Sequence, residues 1–375
     1  MDYRFTIALI YDFDGTLAPG NMQEYDFIPA VGKSNKEFWT EANTLAEEQD
    51  ADMVLTYMAR MLQEAKSKGL SLRREAFQDS GRRVTLYKGV KEWFEQFEQP
   101  VLKEVDISGI NSPSAILMQA RGGKILGEIN GEAQIYPASM TKIMTVILGI
   151  ENFDDLDEKI TLTDEMFAGL YEQDATQAGF QPGEEVRVID LLYGAMLPSG
   201  AECCIALADT ISGSEADFAE LMNKKARKLG MENTHFCDST GLHNPDHYST
   251  VKDIAVLMKY CIKNDTFREI VETSRHSTGV TNIHPDGITY YSTMFKNLSD
   301  PTVTGGKILG GKTGYTSEAG HCLVSFAEIE GREYIFVSAG ASGADGNTIP
   351  HIQDAVTVYN RVGAAIEEKM NDNNK

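Results

Sequence analysis

Two apolar runs, 322–329 and 334–341, are joined through Glu330-Gly331-Arg332. A polar link this short, with a glycine in it, turns the second run back on the first, so the pair reads as an antiparallel hairpin. The stretch 307–316 leads into the same β region. Far upstream, 115–120 and 124–129 flank Arg121-Gly122-Gly123, a second hairpin signal. Between these regions the pattern is helical: 136–150, 189–196, 201–211, 218–229 and 251–264. A closing helix is expected at 352–369, followed by a disordered tail, 370–375. Strands, helices, then strands again predict an α+β fold. One antiparallel sheet is built from both ends, with a helical subdomain inserted between.

The chain has 375 residues, enough for two domains. Its net charge of −22 argues against nucleic acid or anionic membrane surfaces as partners. No apolar run approaches the roughly 18 residues of a membrane span. Five cysteines include no C-x-x-C pair, so buried free thiols are expected rather than zinc or any other metal site. The start is not a signal peptide, because its short apolar stretch ends at Asp12; as written, the chain reads as cytoplasmic. Nothing in the sequence sets an oligomeric state.

Residues 6–13 read as a buried parallel strand that ends in acid. Asp12-Phe13-Asp14-Gly15-Thr16-Leu17 can supply a nucleophile, a general acid and Mg²⁺ ligands; the plainer reading is an Asp-Gly turn. The motif resembles the first motif of the haloacid dehalogenase-like phosphatases. That resemblance implies Asp12 as nucleophile and Asp14 as acid/base. Residues 37–68 read as helices resembling that family's cap insertion, and 84–97 as the return to its core. Arg73, Arg74, Arg82 and Arg83 read as a solvated basic face. The family's later motifs do not follow. Residues 1–98 are therefore read as a truncated, inactive α/β fragment, with a junction at 99–110 and a second domain at 111–369.

Ser139-Met140-Thr141-Lys142 opens the first helix of that second domain. Positions i and i+3 share a helix face, so Ser139 Oγ and Lys142 Nζ can meet. A lysine in a dry pocket is neutral enough to take a serine's proton. The plainer reading is a helix start with an exposed lysine. Two further elements follow: Ser199-Gly200-Ala201 on a tight loop between helices, and Lys312-Thr313-Gly314 on a strand.

The three elements, in this order and setting, resemble the penicilloyl-serine enzymes, meaning penicillin-binding proteins and serine β-lactamases. YPASMTKIMT, LLYGAMLPSGAE, NTHFCDSTGL with HYST, and GGKTGYTSEAGHCLVSFA look like the D-alanyl-D-alanine carboxypeptidases of serine peptidase family S11, over 112–341. The resemblance implies a β-lactamase/transpeptidase-like fold and no cofactor. It implies Ser139 as nucleophile, Lys142 as general base and Ser199 as proton relay. It implies that Lys312 and Thr313 bind the terminal carboxylate, that Gly314 lets substrate approach the backbone, and that the N–H groups of Ser139 and Tyr315 form an oxyanion hole. The partners implied are peptidoglycan stem peptides and β-lactams, in a bacterial cell envelope. That location conflicts with the start of the chain.

One position departs from the pattern. The second element usually ends in Asn, but here it is Ala201, which has no polar side-chain atoms, followed by Glu202. Glu202 is read as a solvated carboxylate at a helix start. No E-x-x-L-N follows, which argues against a class A β-lactamase. A serine β-lactamase and an acylation-only binder remain the alternatives. His235, His243 and His247 are read as structural, Cys203 and Cys204 as core, and Tyr290 and Tyr291 as possible cleft residues.

Overall fold

The computed structural model describes Glu24 and residues 27–49, 53–68, 102–343 and 349–373. Asp12 and Asp14, the four-arginine cluster and the 84–97 stretch lie outside the described residues. The chain divides into two units, Met1–Glu98 and Gln99–Lys375.

The described part of the first unit is helical: α1 (Phe27–Ala30), α2 (Asn35–Gln49) and α3 (Met53–Lys68). Ser34 and Glu37 cap α2 reciprocally. The Ser34 N–H donates to Glu37 Oε2 at 2.9 Å, and the Glu37 N–H donates to Ser34 Oγ at 3.3 Å. Phe38, Ala42 and Ala65 are fully buried on the inner faces of α2 and α3.

The second unit is built on a six-stranded antiparallel sheet in the order β2-β1-β10-β9-β8-β7. Its strands are β1 (Ser114–Gln119), β2 (Ile125–Ile129), β7 (Thr302–Val303), β8 (Gly306–Thr316), β9 (Gly320–Ile329) and β10 (Arg332–Ala341). The N-terminal hairpin joins the C-terminal strands through Ile116↔Val337, and Ile335↔Phe326 pairs β10 with β9. Both ends of the domain therefore make one sheet, as the order of elements implied.

Alternation along the strands sends side chains into two cores. Ile116, Met118, Val324, Phe326, Ile335 and Val337 face the inserted helices. Those helices are α4 (Lys142–Asn152), α5 (Val188–Met196), α6 (Ala201–Ser212), α7 (Glu215–Leu229), α8 (Val251–Cys261) and α9 (Asp265–Glu272). Ala115, Leu117, Leu323, Ala327 and Phe336 face the other way, onto Ile352, Val358, Tyr359, Val362 and Ile366 of the closing helix. Between the helices lie β3 (Lys159–Thr161) with β4 (Glu185–Arg187), and β5 (Arg275–Ser277) with β6 (Thr289–Tyr291). The short α10 (Thr293–Asn297) precedes β7.

Two expectations are corrected. The closing helix, α11, runs Pro350–Asn373 rather than ending at Lys369. Met370 packs against the same core as Ile366, one turn earlier, and that contact carries the helix through most of the expected disordered tail. The described part of the expected junction falls within the second unit. Leu102, Val105 and Ile107 are buried in the second unit, and the Val105 N–H donates to the Leu126 carbonyl at 2.7 Å. Finally, Ser139 is not on the α-helix itself, as described next.

β7 covers only Gly306 and Lys307 of β8. From Ile308 to Thr316 the outer edge of β8 carries no strand partner among the described residues. That open edge holds Lys312-Thr313-Gly314.

Candidate active site

Ser139 lies in a 3-10 turn, Ala138–Thr141, and Lys142 is the first residue of α4. In a 3-10 turn residues i and i+3 eclipse, which aligns the pair more directly than an α-turn does. Lys142 Nζ lies 3.0 Å from Ser139 Oγ and donates to the Thr240 carbonyl at 2.6 Å. The Lys142 side chain is almost wholly buried. Burial pushes its pKa down, while the nearby Cys204, Asp238 and Glu202 pull it back up. A lysine with a depressed pKa is able to accept the serine's proton.

Two other segments hold the serine turn. Ala138 sits at φ +47°, a strained value for a residue with a side chain. A Cβ on Gly314 would come 3.0 Å from Ser139 N and 3.2 Å from the Pro137 carbonyl. In the structure it is therefore the serine turn that packs tightly against Gly314.

Ser199 sits between α5 and α6 at φ +74° and is almost fully buried. Lys312 Nζ donates to Ser199 Oγ at 3.0 Å and to the Thr313 carbonyl at 2.9 Å. Burial, then the neighbouring Lys142 charge, hold Lys312 well below the usual lysine range. The Thr313 hydroxyl meets that of Thr293, at the start of α10, at 2.7 Å. Tyr315 is exposed, with its ring tilted over His321 at 4.7 Å. The structure thus brings Ser139, Lys142, Ser199 and Lys312 together, with Thr313 to Tyr315 along the open strand edge.

Ala201 is buried at the first position of α6, and its N–H donates to the Thr176 carbonyl at 2.8 Å. Glu202 is not the solvated carboxylate expected. It is fully buried, and its Oε1 accepts from the N–H groups of Ala178 at 2.6 Å and Gly179 at 2.9 Å. Burial raises its pKa; the peptide N–H groups of Gly179, Glu202 itself and Ala178 oppose the rise.

Sequence reasoning quoted the loop Asp238-Ser239-Thr240-Gly241 only as part of a resembling stretch and gave it no role. Asp238 Oδ1 accepts from the N–H groups of Thr240 and Gly241, both at 2.7 Å. This folds the loop so that the Thr240 carbonyl faces Lys142. Burial alone would raise the Asp238 pKa, but the contacts with His247, Thr240 and Gly241 outweigh it and hold the carboxyl down to about 2. His247 is buried and bridges Asp238 Oδ2 at 3.2 Å and Thr141 Oγ1 at 2.9 Å. The available signal was local: Asp followed by Ser-Thr-Gly is an Asx-turn composition.

Cys203, Cys204, Cys261 and Cys322 are buried free thiols, and Cys237 is half-buried. Tyr290 is buried and Tyr291 exposed. Among the described residues, no group of three or more His, Cys, Asp or Glu is arranged to hold a metal ion. Among them, too, no helix is long and apolar enough to cross a membrane.

The family model described as D-alanyl-D-alanine carboxypeptidase, peptidase S11, matches residues 101–343. The chain belongs to the S11 family. D-alanyl-D-alanine carboxypeptidase DacF of Bacillus subtilis is 36% identical over 231 residues, covering 61% of this chain and 57% of that protein. The D-alanyl-D-alanine carboxypeptidase of Streptomyces sp. strain K15 is 35% identical over 236 residues, 61% of this chain and 78% of that one. The chain thus spans little more than half the length of the Bacillus relative. The crystal structure of the Streptomyces K15 DD-transpeptidase superposes with a TM-score of 0.61 at 29% identity, covering 70% of this chain and all of that one. The second unit accordingly has the DD-transpeptidase-like fold, a mixed helix and sheet domain, and its paired lysines and serines lie within the matched S11 segment.

Proposed function

We propose that this S11 chain is a serine D-alanyl-D-alanine carboxypeptidase acting on peptidoglycan stem peptides. The observation that carries the reading is the pair of contacts Lys142 Nζ to Ser139 Oγ and Lys312 Nζ to Ser199 Oγ, each 3.0 Å. Neutral Lys142 takes the Ser139 proton as Oγ attacks the carbonyl of the penultimate D-alanine. The oxyanion that forms is met by the N–H groups of Ser139 and Tyr315; one such donor is worth about 3 kcal/mol of barrier. Ser199 passes a proton to the leaving D-alanine nitrogen. Lys312 and the Thr313 hydroxyl hold the terminal carboxylate, a charge-assisted contact. Water then cleaves the acyl-serine ester, releasing the shortened peptide and restoring Ser139. β-Lactams acylate the same serine. Such a substrate places the working enzyme in a bacterial cell envelope.

The test is D-alanine release from a stem pentapeptide, alongside covalent labelling by a fluorescent penicillin. Both are expected in the wild type, and both should disappear in Ser139→Ala. Penicillin hydrolysis with rapid turnover would instead mark a β-lactamase. Ala201 favours one further alternative, an acylation-only binder, because it offers substrate no polar side chain. Labelling without D-alanine release would establish that alternative.

For residues 1–98 we propose descent from a haloacid dehalogenase-like phosphatase, resting on the Asp12–Leu17 motif, without retained catalysis. Phosphatase activity abolished by Asp12→Asn but untouched by Ser139→Ala would support the descent and overturn the loss of catalysis.

A further inference from the structure

We propose that Glu202 is a positioning residue: a buried carboxylate that ties the strap 176–180 to the start of α6 and thereby fixes Ser199 against Lys312. The proposal rests on the reading of the site given above. Two backbone donors, the N–H groups of Ala178 and Gly179, converge on Glu202 Oε1. The same strap is tied again by the Ala201 N–H to the Thr176 carbonyl at 2.8 Å. Packing here leaves no slack. A Cβ on Gly200 would meet Ala178 Cβ at 2.7 Å, Ala178 N at 2.9 Å and Glu202 Oε2 at 3.0 Å. The strap, Gly200 and the first turn of α6 are therefore packed directly against one another, and Ser199 is the residue that leads into them.

Ser199 needs such support. Its φ of +74° is one that only the surroundings can enforce in a residue with a side chain. With Ala at 201, no polar side chain stands at that position to help, so main-chain ties carry the geometry. The second oxygen points to the same role. Glu202 Oε2 is buried and has no hydrogen-bond partner among the described residues. An unsatisfied buried oxygen is costly, and a residue kept only to fill space would not carry one. What the carboxylate gives in return is the double contact at Oε1.

The test uses the full chain and measures the second-order rate of acylation by a fluorescent penicillin, with kcat and KM for D-alanine release. Glu202→Gln keeps one oxygen for both N–H groups, so its rates should stay within about threefold of wild type. Glu202→Ala leaves both donors bare and should lower acylation and kcat at least about tenfold, with KM little changed. Because Glu202 acts through Ser199, adding Glu202→Ala to Ser199→Ala should slow acylation by less than about twofold.

Wild-type acylation in Glu202→Ala, or additive losses in the double variant, would overturn the proposal. So would a Glu202→Gln variant whose plateau rate falls as far as that of Glu202→Ala, since that marks the charge rather than the tie; a moved pH limb alone is expected, because the Glu202 charge raises the Lys142 pKa. Where Glu202→Ala does not fold, Glu202→Asp decides. Aspartate keeps the charge but is one methylene short, so it should lose activity while the Gln variant keeps it, and the reverse order refutes positioning. A wild type that no penicillin labels would sink the carboxypeptidase reading instead. Amide exchange at Ala178 and Gly179 that is no faster in Glu202→Ala than in wild type would, in that case, still refute the tie itself.

Discussion

Gly241 lies directly against the carbonyl of Ala138: a Cβ at position 241 would stand 1.9 Å from that oxygen and 2.7 Å from Thr141 Oγ1. Gly241 also has φ +79°. A loop that looks remote in sequence is thus the back wall of the serine turn. Gly241→Ala adds strain of about 1–2 kcal/mol from the left-handed backbone and about 1–3 kcal/mol from overpacking. The clash falls on backbone, so the turn must shift. A displacement near 1 Å at the reacting atoms costs about a hundredfold in rate. Penicillin labelling should slow by that order, with a clear drop in Tm. A variant that labels at the wild-type rate would show that the turn does not depend on this contact.

The two buried lysines set a pH dependence. Lys142 and Lys312 are both held below the ordinary 10.5 of lysine, chiefly by burial. Such close neighbours titrate as a pair. On the proposed reading, a substrate carboxylate at Lys312 would keep the shared proton there and leave Lys142 neutral. Acylation should therefore rise with pH along a limb whose midpoint lies below 10.5. Stability follows the same sign. Unfolded lysines keep their protons up to about 10.5 while the folded pair releases them earlier, so the pair's unfavourable contribution is relieved as pH rises. A pH–rate profile for acylation checks this; a limb at or above 10.5 would refute it.

Asp238 titrates the other way. Its folded pKa of about 2 lies below the ordinary 3.8. The stability it contributes is present above pH 4 and is lost as pH falls from there toward 2, about 2 kcal/mol in all. Asp238→Asn removes the charge that His247 meets. Its Tm should be lower at neutral pH and should fall less steeply between pH 4 and 2. Thermal scans of both proteins across that interval make the comparison. Parallel curves would mean that the loop is held by something other than this carboxylate.

What could be read from the chain was what is local. Ser139 and Lys142 are three apart, and any helical turn brings them together. The 322–341 hairpin and the helix boundaries near 188 and 201 follow from periodicity and glycine. What could not be read depends on contacts between distant segments. The serine turn is a 3-10 turn packed closely against Gly241 and Gly314, far along the chain. Glu202 looks like a surface carboxylate until the strap at 178–179 folds over it. His247 has the composition of a polar loop, and only the fold sets it against Thr141 Oγ1, 106 positions earlier. The strands Arg275–Ser277 and Thr289–Tyr291 have three residues each, too few for a period to register.

Lys312 offers the sharpest separation of roles. Its buried Nζ meets Ser199 Oγ at 3.0 Å, and its backbone belongs to the strand whose outer edge is open, where a terminal carboxylate would arrive on the proposed reading. Lys312→Ala removes the donor to Ser199 and, on the proposed reading, the anchor for the carboxylate. Charge-assisted hydrogen bonds are worth about 1.5–3 kcal/mol, so D-alanine release should fall roughly tenfold to a few hundredfold. A pair of ligands assigns the loss. With a stem peptide whose terminal carboxylate is converted to an amide, the wild type should already have lost most of that activity. Lys312→Ala should lose little more, because carboxylate and ammonium act as one contact. If the variant is equally impaired toward both peptides, Lys312 serves Ser199 alone and the carboxylate is held elsewhere.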